Sequence, residues 1–80
     1  MKAFKVWGGL EFVHGKQVRT IVATYTKKRA AELLGVSMYY FNNYWTKTGN
    51  DIELEVALSE PETVFRASSS MGNDFKKEGE

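Results

Sequence analysis

Phe4, Val6, Leu10 and Phe12 share one parity along "AFKVWGGLEF", with Lys5 and Glu11 on the other. Period-two alternation predicts a half-buried strand, because successive side chains of an extended chain point to opposite faces. Gly8-Gly9 within it predicts a bulge or a sharp bend. "VHGK" offers a turn through Gly15, and "QVRTIVATYT", rich in β-branched residues, predicts a second strand. A connection this short joins antiparallel neighbours, so the two form a hairpin.

The period then changes. Thr26 is a suitable N-cap for a helix over roughly 27–34, with Gly35 as its stop and Ala30, Leu33 and Leu34 on its inner side. Ser37 caps a second helix over roughly 38–46. Tyr40, Phe41, Tyr44 and Trp45 fall on one face of it, at helical spacing, and are expected to pack. Tyr39, Asn42, Asn43 and Thr46 fall on the other, facing solvent or a partner. "TGNDIELEVALSEPE" supports two readings. Ile52, Leu54, Val56 and Leu58 alternate with Glu53 and Glu55 as in a strand, yet Asn50 and Glu53 stand at capping-box spacing. A short helix ending before Pro61 is favoured. "ETVFRAS" predicts a final strand against the hairpin, and the polar "SSSMGNDFKKEGE" a frayed end.

These elements predict an α+β fold: a small antiparallel sheet (N-terminal β-hairpin plus C-terminal strand) packed against two or three short helices. One domain covers 1–68, with a flexible tail over 69–80. The expected core is Phe4, Val6, Leu10, Val22, Leu33, Leu34, Phe41, Trp45, Leu58 and Phe65.

Eighty residues allow one domain and a modest core. No cysteine is present, which removes disulfides and thiolate metal sites. No apolar run approaches the ~20 residues of a membrane span, and "MKAFKVWGGLEF" lacks a signal-peptide core. The expectation is a soluble protein of a bacterial cytoplasm that makes no membrane contact. Charge is lopsided. Residues 1–50 hold eight basic and two acidic groups, net +6, and residues 51–80 hold three basic and eight acidic, net −5. A basic surface for a polyanion or an acidic partner is one reading. Interleaving of the two halves in the fold is the plainer one.

Little here suggests catalysis. His14 is the single histidine and lies beside a turn with no orienting acid. Glu53 and Glu55 have acid–base potential, but neighbouring glutamates are more often a solvated face. Gly8-Gly9 lacks the lysine and serine of a phosphate loop. The expectation is a non-enzymatic chain without cofactor or metal.

Binding is a different matter. "RAAELLGVSMYYFNNYW" places a small residue, Ala31, and a turn glycine, Gly35, where two crossing helices need them, with Leu34, Val36, Phe41 and Tyr44 to lock the corner. "AAELLGVS" resembles the corresponding segment of many bacterial helix-turn-helix regulators, over about a quarter of the chain. The resemblance implies that Ser37, Met38, Tyr39, Asn42 and Asn43 lie on the exposed side of a recognition helix. Either asparagine would read adenine, and Lys27, Lys28, Arg29 and Lys47 would meet phosphates. The exposed face carries no cation before Lys47, and Met38 and Tyr39 suit a protein partner equally. More broadly, "VRTIVA", "AAELLGVS", "TGN" and "EPETVF" are similar to small proteins of phages and prophages of Gram-negative bacteria. That similarity implies an accessory protein that binds and inhibits a host protein, such as a defence complex or a transcription component. DNA and a host protein are thus both candidate partners, and a homodimer is compatible with either.

Overall fold

A computed structural model describes residues 4–13, 15–68 and 74–77. The chain forms β1 (Lys5–Val13), β2 (Lys16–Thr24), α1 (Lys27–Leu34), α2 (Met38–Tyr44), β3 (Trp45–Lys47), α3 (Asp51–Ser59), β4 (Phe65–Arg66) and β5 (Lys76–Lys77). The strands make one antiparallel sheet in the order β3-β1-β2-β4-β5. This is the expected α+β fold. The segment at 51–59 is a helix, and Asn50 caps it by accepting from the Ile52 and Glu53 amides. The tail expected over 69–80 includes β5, which pairs with β4. The rest of that stretch, apart from 74 and 75, lies outside the described residues, as does His14.

The hairpin forms the centre of the sheet, in unbroken register from Lys5–Thr24 to Val13–Lys16. Gly15 closes its turn at φ 79°, a conformation natural to glycine. The pairing runs straight through Gly8 and Gly9, so the expected bulge is absent. Close approach explains these glycines instead. A Cβ on Gly9 would stand 2.7 Å from the Trp45 ring and 2.8 Å from the Tyr44 carbonyl oxygen. A Cβ on Gly8 would stand 2.5 Å from the Arg19 guanidinium.

The sheet is covered on both faces. Trp7 and Val22, opposite one another, pack with Ala30, Ala31, Leu34, Phe41, Trp45 and Val64 beneath α1 and α2. Val6 and Ala23, the next pair, pack with Ile21, Ala57 and Phe65 beneath α3. Two-sided burial explains where the single-parity reading fails. Trp7 is buried, whereas Leu10 and Phe12 are exposed. Six of the expected core residues are buried: Val6, Val22, Leu34, Phe41, Trp45 and Phe65. Phe4 and Leu33 pack at the margins, and Leu58 faces solvent.

The helical corner forms as its caps dictate. Thr26 accepts from the Arg29 amide at 3.2 Å and Ser37 from the Tyr40 amide at 3.1 Å. Gly35 takes the left-handed conformation, φ 72°. The second helix stops two residues earlier than expected, because Trp45 turns extended and enters the sheet as the first residue of β3. That early stop changes which aromatics are buried. Phe41 and Trp45 enter the core, while Tyr40 and Tyr44 stay on the surface, their rings 4.6 Å apart.

Candidate functional site

The residues expected to meet a partner divide into three groups. Met38, Tyr39, Asn42 and Asn43 lie exposed on α2. The Asn43 amide is partly engaged, donating to the Tyr39 carbonyl at 2.7 Å. Ser37 is occupied as the cap of the same helix. Lys27 and Lys47 meet elsewhere, around Trp7. Lys27 Nζ lies 5.8 Å from the Trp7 ring and Lys47 is the cross-strand neighbour of Trp7. Arg29 points away to Glu62, at 2.9 Å. Lys28 is exposed beside them. The crowding of cations at the start of α1 thus has local compensation: a cation–π contact for Lys27 and an ion pair for Arg29.

A second surface, which the sequence reading did not select, lies at the free edge of β1. A nine-residue strand spans roughly 30 Å, whereas an eight-residue helix spans roughly 12 Å. Helices this short cannot cover the hairpin to its tip. β3 is shorter still and pairs only with Trp7, Gly8 and Gly9. Among the described residues, no strand lies beside Leu10–Val13 on the side away from β2.

A groove of about 470 Å³ follows this edge, lined by Leu10, Phe12 and Gln17 of the hairpin and by Tyr40, Asn43 and Tyr44 of α2. Phe12 is 70% exposed and Tyr44 61%. Leaving such rings in water forgoes roughly 1.5–3 kcal/mol of burial per large side chain, so their clustering is an unpartnered apolar surface. One signal for it was legible: two strands far longer than any helix able to pack on them.

The groove's one charged lining residue is Arg19, held from below. Its Nε and Nη2 donate to the two carboxylate oxygens of Glu53 on α3, at 2.7 and 2.9 Å. The Thr48 hydroxyl donates to the same carboxylate at 2.6 Å. Glu53, expected on a solvated face, is buried. The bound Arg19 guanidinium holds its carboxyl below the ordinary range. The Thr48 hydroxyl acts in the same direction, against the upward push of burial. This bidentate pair anchors α3 to β2 and makes the groove floor electrically quiet.

The chain was compared with protein-family models, curated proteins and solved structures, and none matched. The site is therefore read from its own geometry. That geometry offers hydrogen bonds from amides and phenols, apolar contact from Leu10 and Phe12, and an unpaired strand edge.

Proposed function

We propose that this chain is a non-enzymatic binding module whose partner is a protein, engaged at the groove between the free edge of β1 and the outer side of α2. One observation carries the reading: Leu10, Phe12, Tyr40 and Tyr44 gather beside a strand edge that has no strand neighbour among the described residues. Aromatic side chains that bury large area at low entropic cost are the usual anchors of protein interfaces. An inhibited host protein is the partner class proposed, on the sequence resemblance of residues 16–65 to small phage and prophage proteins.

Nucleic-acid binding through the helical corner is the second reading. It is favoured by Lys27, Lys28 and Lys47, which have no acidic partner among the described residues. Asn42 on α2 is exposed beside it. The two readings separate by salt, because phosphate contacts release counterions and weaken steeply as salt rises.

The test is affinity capture from a bacterial lysate, with and without nuclease, using the parent chain, a Phe12→Ala/Tyr44→Ala double variant and a Lys27→Gln/Lys47→Gln double variant. The expected result is a protein retained through nuclease treatment and moderate salt, lost with the aromatic variant and kept by the lysine variant. Association abolished by nuclease, and by the lysine variant alone, would establish the nucleic-acid reading in its place.

A further inference from the structure

The backbone at the groove specifies the form of what binds there. The Thr48 amide donates to the Val6 carbonyl at 2.9 Å, and Gly8 pairs with Thr46. Backbone polar groups of successive strand residues alternate between the two sides. Val6, Gly8, Leu10 and Phe12 therefore turn theirs toward the lane that β3 occupies. Trp7, Gly9, Glu11 and Val13 turn theirs toward β2, in keeping with closure of the two-residue loop by the Val13–Lys16 pair. β3 begins opposite Gly9. Leu10 and Phe12 are left with an N–H and a C=O each, roughly 7 Å apart along one line, facing the groove with no strand partner among the described residues.

Building on the protein-binding reading, we infer that the partner contributes an extended segment that adds to the sheet as a new strand along Leu10–Val13, continuing the lane of β3. Only another extended backbone matches donors and acceptors at this spacing. The side chains of that segment that face the groove are uncharged and mainly apolar. The single charge lining the groove, Arg19, is already matched by Glu53; Leu10, Phe12, Tyr40 and Tyr44 supply the apolar contact, and the polar groups beside them, Gln17, Asn43 and Thr46, are neutral.

A second copy of this chain fits the lane poorly. Twofold pairing of Leu10–Val13 with itself centres on Glu11 or on Phe12, the registers that bring the outward backbone groups together. Centred on Glu11 it sets Val13 of the second copy opposite Gly9, and centred on Phe12 it sets Gly15 of the hairpin turn there, where Trp45 of β3 already stands. The remaining overlap is about three residues, roughly 10 Å of strand, whereas stable interfaces bury about 1,200–2,000 Å². A segment of another protein has no hairpin tip to accommodate and can run on over Tyr44 and Tyr40.

The experiment uses the full chain and a displayed library of random dodecapeptides as the probe, followed by amide hydrogen exchange with the selected peptides. In the free chain, the Leu10 and Phe12 amides should exchange at least about tenfold faster than that of Glu11. Bound peptide should slow both by about tenfold or more. Phe12→Pro, which removes the outward N–H and also fixes φ, should weaken binding about tenfold beyond Phe12→Ala, the worth of roughly one backbone hydrogen bond, with a denaturation midpoint matching that of Phe12→Ala. Peptides that need Phe12 and Tyr44 yet leave Leu10 and Phe12 exchange unchanged would overturn strand addition while leaving the protein-binding reading standing. A library yielding no peptide sensitive to Phe12→Ala or Tyr44→Ala would overturn both. Slowing of the same two amides with protein concentration alone would assign the lane to a second copy.

Discussion

Gly9 shows how much a single missing atom can decide. A Cβ there would meet the Trp45 indole and the Tyr44 carbonyl, where α2 becomes β3. The carbonyl belongs to the backbone and cannot swing aside. Gly9→Ala should therefore cost about 1–3 kcal/mol, the usual range for overpacking. Gly8→Ala meets only the end of the Arg19 side chain and should cost less. Urea midpoints of the two variants make the comparison, and equal losses would refute the backbone explanation. Glu53 gives a second residue-scale prediction. Its carboxyl pKa is lower folded than unfolded, chiefly because of Arg19. The stabilisation is thus fully present above the unfolded value of about 4.3 and is lost as pH falls through the folded value. Glu53→Gln should lower stability by about 1–3 kcal/mol at neutral pH, and the gap from the parent should close in acid. A gap that is constant with pH would show that the ion pair contributes nothing specific to the charged form.

Caps and turns set the elements almost independently of the rest of the molecule. Thr26, Gly35, Ser37 and Asn50 each sit where their local chemistry predicts, and α1 begins and ends as the sequence implies. A Cβ at Gly35 would meet nothing within 4 Å, so the demand for glycine there is purely conformational. Gly35→Val should cost about 1–2 kcal/mol from the left-handed backbone alone, while Gly35→Asn should be nearly neutral, since asparagine tolerates that region. Thermal denaturation of both variants distinguishes this from a packing role: a loss with asparagine as large as with valine would point to packing. The end of α2 is the element that local chemistry did not specify. Nothing in "NNYWTK" forbids another helical turn. Trp45 leaves the helix because its indole is buried over Gly9, a contact available only once β1 is in place.

At the scale of the whole molecule, two clusters pack on opposite faces of one hairpin-centred sheet, and the groove lies outside both. The aromatic substitutions that abolish partner binding should therefore leave the denaturation midpoint nearly unchanged, within roughly 0.5 kcal/mol for surface positions. Among the described residues, no helix is long and apolar enough to cross a membrane, and four of the nine exposed large hydrophobics, Leu10, Phe12, Tyr40 and Tyr44, line the groove. The sequence by itself determined the hairpin, the first two helices with their caps, and the α+β class, and it favoured, without deciding, the helix at 51–59. These depend on near-neighbour chemistry: alternation, side-chain oxygens at helix starts, and a glycine where φ must be positive. Only the tertiary structure decided which side of each element is covered. One-parity burial was a sound expectation for a sheet packed on a single face, but α1 and α2 cover one face and bury Trp7, while α3 covers the other and buries Ile21 and Ala23. The groove has the same origin. Tyr40 and Tyr44 read as core by helical spacing, and Leu10 by strand parity. They are exposed because helices of seven to nine residues and a three-residue β3 run out before the nine-residue strands do. The mismatch in length could be read along the chain, but which edge it leaves open, that of β1 among the described residues, is settled by assembly.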